Sequence, residues 1–195
     1  MTNIRLVTGA DVATCLEDLA TLRLEIFREF PYLYDGRRED ELRYLARYAE
    51  ITDTCVALAE SGGTIIGAGT GIPLSAEGAA IQAGFATAGP DTADIYYIGE
   101  LLLYPGYRNS RFGSRLFGLM EGHARSCGRY RRLGCATVLR PDDHPLRSAD
   151  YLPIERFLER HRFSPLPGSQ PGIAWREIDG AVREHPMRCW IREPE

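Results

Sequence analysis

The sequence predicts a mixed α/β fold, a central sheet of about six to seven strands flanked by about four helices. Three observations predict it. Short apolar runs with strand character alternate along the chain with segments whose apolar residues repeat at helical spacing. Two such runs flank Ser61, Gly62 and Gly63, a hairpin signal. The stretch "DIYYIGELLLYP" leads into a helical pattern and then a second buried strand within about 45 residues, the size of a βαβ unit.

Taken in order, "NIRLV" alternates like an edge strand. Thr8 and Asp11 are spaced as a capping box for a helix carrying Val12, Leu16, Leu19, Leu22 and Ile26 on one face. After the aromatic, turn-rich "REFPYLYDG", "RREDELRYLARYAE" predicts a second helix with a charged outer face. "CVALAESGGTIIGAGTGIPL" is the hairpin, followed by a loop of small residues with room for some helix. "DIYYIGELLLYP" is nearly continuous in apolar character, as expected of a central strand buried on both faces, and Pro105 and Gly106 end it. From Ser114, the residues Leu116, Phe117, Met120, Ala124 and Cys127 mark one helical face, with Gly128 placed to stop it. "LGCATVL" is the next strand, "PIERFLERHRF" a later amphipathic helix, and "GIAWREI" and "MRCWIRE" are closing strands. No internal repeat or linker interrupts the series.

The 195 residues are 44% hydrophobic, enough for a sizeable core in one domain. A net charge of −4 argues against a general nucleic-acid or anionic-membrane binder, so any basic patch is local. Five cysteines without paired spacing and no secretory leader pattern point to reduced thiols and a cytoplasmic setting, and no zinc signature or membrane span is read. All 23 basic residues are Arg.

The chemistry concentrates between the central strand and the helix that follows. "RNSRFGS", Arg108 to Ser114, is a basic turn leading into a helix start. The first turn of a helix offers unpaired N–H groups and a partial positive charge, which together suit a diphosphate. A dinucleotide-binding GxGxxG is absent.

The element order, with this turn, resembles the GNAT N-acyltransferase superfamily over almost the whole chain, as a single domain of residues 1–195. Arg108 and Gly113 match the family's acetyl-CoA signature, while Arg111 stands where its first Gly is usual. The resemblance implies acetyl-CoA as cosubstrate, no metal, and a splayed strand pair at the cofactor site. It assigns the pantetheine arm to Leu101, Leu102 and Leu103, and the pyrophosphate to Arg108, Asn109, Ser110, Arg111, Phe112, Gly113 and Ser114.

Acyl transfer to an amine needs the neutral nucleophile, and an amine of pKa near 10.4 must first lose a proton. Glu100, a carboxylate inside an apolar strand, is the expected general base, its proton affinity raised by burial. The family tyrosine that protonates the departing thiolate has no counterpart, because Leu158 occupies its place in "FLERHRF"; Tyr151 or water is the expected donor. The polar segment "RPDDHPLRSADYLP" supplies Asp143 and His144, and the aromatic segment Tyr32 and Tyr34, as candidates for the acceptor site; a turn role for His144 and core packing for the tyrosines remain open. The expected partner is a small-molecule or peptide amine, with no nucleic acid or membrane and with room for a homodimer. A CoA-binding sensor without catalysis stays open, on the departures at Arg111 and Leu158, as does an interaction domain without cofactor.

Overall fold

In a computed structural model, which describes residues 2–87 and 91–193, the order of elements is β1 (Thr2–Thr8), α1 (Leu16–Ile26), α2 (Arg38–Ala46), β2 (Cys55–Ser61), β3 (Thr64–Pro73), α3 (Ala79–Thr87), β4 (Ile95–Leu103), α4 (Phe112–Ser126), β5 (Arg132–Val138), α5 (Glu155–Arg160), β6 (Ser164–Pro165), β7 (Gly172–Arg176) and β8 (Val182–Arg192). The strands form one eight-stranded sheet in the order β1-β2-β3-β4-β5-β8-β6, with β7 also paired to β8. Neighbours are antiparallel except β4 and β5, which are parallel. The mixed α/β class holds, with one strand and one helix more than expected: the helix is α3, inside the segment of small residues after the hairpin, and the two-residue β6 is too short to leave a periodic trace.

The hairpin turns through Gly62 and Gly63 at φ +59° and +83°, both in the left-handed region that glycine enters without penalty. The helix opening proceeds differently from the capping-box expectation. Residues Gly9–Cys15 form a 3-10 turn, the Thr8 side chain caps nothing, and the α-helix begins at Leu16. Val12 and Cys15 still pack in the core, so apolar burial rather than a cap sets this entry.

The core lies on both faces of the sheet. On one, α1, α2 and α3 bring Leu19, Leu22, Leu45, Ile81 and Phe85 against Val56, Leu58, Ala68, Ile72 and Ile95. On the other, α4 and α5 bring Leu116, Phe117, Met120, Ala124 and Leu158 against Ala57, Tyr96, Ile98, Leu133 and Cys135. A methyl group on Gly69 of β3 would come within 2.5 Å of the Met120 thioether methyl, so the bare backbone there lets α4 sit close against the sheet. All five cysteines are free thiols, and Cys15, Cys55, Cys135 and Cys189 are buried.

Two irregularities in β4 shape the functional region. Thr70 pairs with Glu100 but Gly71 pairs with Ile98, so Gly99 is an extra residue, a β-bulge. Ile98 and Leu101 face the α4 side, while Tyr97 and Leu102 belong to the α1–α2 side. The bulge turns Glu100 toward the α1–α2 side as well, where Arg23 meets it. The second irregularity is that the parallel pairing of β4 with β5 covers Ile95↔Arg132, Tyr96↔Leu133 and Tyr97↔Gly134 and goes no further among the described residues. Beyond Tyr97 the strands part, and among the described residues the β5-facing edge of Ile98 to Leu103 lacks a strand partner.

Candidate functional site

The opened edge of β4 leads directly into the basic turn. Leu101, Leu102 and Leu103 pair with Gly69, Ala68 and Gly67 of β3 on one side, and on the β5 side the backbone of Leu101 and the Leu103 amide are available to an extended ligand, the Leu103 carbonyl being taken by Arg108. After a 3-10 turn at Pro105–Tyr107, Asn109 and Arg111 both adopt positive φ, 61° and 65°, and α4 starts at Phe112, two residues before the Ser114 that helical periodicity singles out. Among the described residues, the amides of 109 to 114 donate to no backbone or side-chain acceptor. Six such amides at the start of a 15-residue helix form a concave, positively polarised nest. The Cβ side of Gly113 is lined by side chains: a methyl group there would meet Phe157 at 3.5 Å, Leu103 at 3.7 Å and Leu101 at 3.8 Å, ordinary packing distances.

Side chains of the turn are partly committed elsewhere. Arg108 folds back, its Nε donating to the Leu103 carbonyl (3.0 Å) and a terminal nitrogen pairing with Glu29 (2.9 Å). The Ser110 hydroxyl donates to the Tyr107 carbonyl, and Ser114 Oγ lies 3.1 Å from His161 Nε2. Arg111 is exposed, with no internal ion pair among the described residues.

Glu100 is buried, and it does not stand alone as the sequence suggests. Arg23 of α1 pairs through Nη1 with Glu100 Oε1 and through Nε with Glu41 Oε2 of α2. The guanidinium lies between the rings of Tyr44 and Phe27, 4.6 and 5.0 Å from their centroids. Glu41 belongs to the buried face of α2, not to its charged outer face, and also accepts a 2.7 Å bond from the Tyr34 hydroxyl. Glu100 Oε2 is buried and has no hydrogen-bond partner among the described residues. The Tyr34 hydroxyl thus serves this cluster.

The acceptor-side candidates come together only in part. Phe30 stacks edge-on against Tyr151 (4.8 Å) and lies 5.5 Å from the His144 ring. Burial, with Glu155 nearby, pushes the Tyr151 hydroxyl up to about 12, against the opposing pull of Arg147 and Arg108. Tyr151 is therefore a neutral hydrogen-bond donor at neutral pH. The Tyr32 hydroxyl is pushed far above its ordinary range, by burial first and then by Tyr151. Arg140 holds the segment in place, donating to the carbonyls of Pro31 and Tyr32 at 2.7 and 3.0 Å while pairing with the buried Glu177 at 2.5 Å. His144 accepts from the Leu146 amide through Nδ1, a local turn bond, and Asp143 is exposed. Leu158, at the place of the family tyrosine, is buried beside Phe117 and Phe163.

Arg23 and Glu41 escaped sequence reasoning, although a signal existed: Arg23 falls one turn after Leu19 in the buried stripe of α1, where a cation needs a partner. Nothing comparable announced the Gly99 bulge. Among the described residues no group of three or more His, Cys, Asp or Glu could hold a metal, and no helix is long and apolar enough to cross a membrane.

The family model of the acetyltransferase (GNAT) family matches residues 17–146, a span that contains all of α1 but its first residue, the bulged β4, the nest and the start of the acceptor-side loop. The chain belongs to the GNAT family. Solved GNAT-fold structures align over nearly the entire chain. An acetyltransferase of the GNAT family from Streptococcus pneumoniae is 14% identical, with a TM-score of 0.61 and 100% of each chain covered. A protein from Salmonella typhimurium described as an acetyltransferase, solved with its cofactor acetyl-CoA, is 12% identical, with a TM-score of 0.59 over 100% of this chain and 95% of that one. A GNAT-family structure from Desulfovibrio desulfuricans is 15% identical, with a TM-score of 0.58 and 99% of each chain covered. At these identities the likeness is one of fold. No curated protein sequence matches the chain.

Proposed function

We propose that residues 1–195 work as one domain that transfers the acetyl group of acetyl-CoA to a primary amine of a small molecule or peptide, by direct transfer with Glu100 as general base. The observation that carries the reading is the junction of the parted β4–β5 edge with the acceptor-free amide nest at the head of α4. The residues fit the cofactor: the nest suits the pyrophosphate, and the β4 edge at Leu101 to Leu103 suits the amide-bearing pantetheine arm. The free thiols support a reducing, cytoplasmic setting.

When bound, acetyl-CoA supplies an acetyl thioester. Glu100 Oε2, the unpartnered oxygen, is buried, so it takes one proton from the acceptor's ammonium group through a bridging water. The freed nitrogen lone pair forms the C–N bond as the C–S bond breaks, and the nitrogen's second proton balances the one the sulfur gains. Tyr151 stays protonated and steadies the developing thiolate by hydrogen bonding, with water completing the proton transfer. A second reading, a CoA-binding sensor, is favoured by one observation: a Glu100 already paired with Arg23 serves equally as a structural anion.

The test is calorimetric binding of acetyl-CoA followed by thiol release with a panel of amines. Glu100→Gln should retain acetyl-CoA affinity while turnover drops by about 10²–10⁴-fold, the usual weight of a general base. Unchanged turnover would remove Glu100 from the chemistry. Binding without turnover across the panel would select the sensor.

A further inference from the structure

One guanidinium serves two buried carboxylates. Arg23 Nε bonds Glu41 and Nη1 forms an ion pair with Glu100, and the three side chains are 13%, 2% and 4% exposed. Fully ionised, the cluster carries one uncompensated negative charge in a site with little water, which is costly and favours taking up a proton. The surroundings decide where that proton goes. Glu41 has two donors, Arg23 Nε and the Tyr34 hydroxyl at 2.7 Å. Glu100 has Arg23 alone, and its Oε2 has no partner among the described residues. Of the two carboxylates, Glu100 has the fewer donors and an unpartnered oxygen, and that oxygen is where the cluster has a place for a proton.

We infer that Glu41, acting through the shared guanidinium of Arg23, sets the proton affinity of Glu100 and is a positioning residue for the acyl transfer. The inference rests on the reading of Glu100 as the base. It resolves a difficulty of that reading, because a carboxylate paired one-to-one with an arginine is a weak base. Sharing the arginine keeps Glu100 oriented without giving it a full counter-charge.

The other groups facing the cluster do not supply the missing charge. Tyr44 and Tyr48, from α2 and the turn after it, are bonded to each other at 2.9 Å and held neutral by burial. Tyr97 on β4 and Tyr32 in the α1–α2 connection are likewise neutral and buried. Thr70, opposite Glu100 on β3, is uncharged. Arg47 lies over the Tyr44 ring, and its side chain, like Asp40 beyond Tyr34, is exposed and screened by solvent. Glu77 acts on the tyrosines and adds negative charge, in the same sense as Glu41.

The experiment follows the side-chain carboxyl carbons of ¹³C-glutamate-labelled protein by NMR through a pH titration, with Glu100→Gln and Glu41→Gln assigning the two signals. Glu41→Gln keeps the side chain's shape and an oxygen for Tyr34, but removes the competing charge. It should lower the Glu100 midpoint by about one pH unit or more. The acid limb of kcat/KM should move down with it and kcat should fall, with KM for acetyl-CoA unchanged, a split that loss of packing alone would not produce. Tyr34→Phe, which deletes one donor to Glu41, should shift the Glu100 midpoint in the same direction and serves if Glu41→Gln does not fold. An unchanged or raised Glu100 midpoint in either folded variant overturns the inference. If Glu100→Gln keeps full turnover while the midpoints move as expected, the charge sharing stands and the assignment of the base is what fails.

Discussion

Arg111 occupies the position before α4 with φ 65° and ψ −2°, a left-handed conformation in a residue that bears a Cβ. That geometry costs about 1–2 kcal/mol relative to glycine. Arg111→Gly relieves it but gives the unfolded chain more freedom, which returns about 0.5–1 kcal/mol. The exposed side chain makes no ion pair among the described residues, so little packing is lost. The expected net is a stabilisation of about 0.5–1 kcal/mol, a rise of about 1–4 °C in Tm for a domain of this size. In the ligand-bound state the balance reverses. A charge-assisted bond from the guanidinium to a cofactor phosphate is worth about 1.5–3 kcal/mol, and exposure of this side chain places it at the lower end, near tenfold in affinity. The loss should be largest at low ionic strength and fade as salt screens it. Differential scanning calorimetry of the free protein and titration calorimetry of acetyl-CoA across a salt series measure both. A variant that binds more tightly, at any salt, refutes the reasoning: Arg111 would then obstruct the nest, and the sensor reading would gain. A lowered Tm would refute the strain argument alone.

Two further outcomes are expected. His161 and His185 are both held below the ordinary histidine range, chiefly by burial, with Arg192 and Arg140 adding to it. A folded-state pKa below the unfolded value means stability that is present above about pH 6.5 and declines as pH falls through the folded pKa values, so denaturation midpoints should drop between about pH 7 and pH 5. Combined His161→Phe and His185→Phe, which keep the ring contacts to Phe117, Phe157 and Trp175, should flatten that slope, and an unaltered slope would assign it to other groups. Because the sequence contains no Lys, prolonged incubation with acetyl-CoA leaves the chain's α-amine as the one ordinary amine to acetylate. Intact mass should show no more than one hydroxylamine-resistant acetyl group, and several such groups would contradict this.

Much of the fold was legible because it is written locally. The hairpin at Gly62 and Gly63, the buried strand β4, the stop at Gly128 with φ +70° and the amphipathic face of α4 each depend on residues within a few positions of one another. The turn was legible for the same reason, since a basic turn between a strand and a helix start is a local pattern, while the left-handed φ of Arg111 came from the structure. Elements with weak or conflicting local signals were not. Thr8 has the chemistry of a cap and caps nothing, because the buried Val12 and Cys15 draw the chain into a 3-10 turn first. Glu41 looks like surface charge until α2 packs on α1, and Arg23 looks misplaced in its stripe until both carboxylates meet it.

By itself, then, the sequence determined the order of elements, the phosphate-suited turn and the presence of a lone acid in the central strand. Tertiary structure decided what surrounds that acid. The bulge at Gly99 that aims Glu100 depends on the register of β3, the parting of β4 from β5 depends on where a strand 37 positions later, Gly134 against Tyr97, stops pairing, and the charge on Glu100 depends on side chains from two helices 77 and 59 residues before it. Periodicity and turn chemistry report the energetics of neighbours along the chain, whereas ion pairing and burial are set by neighbours in space, which are fixed only when the helices close over the sheet.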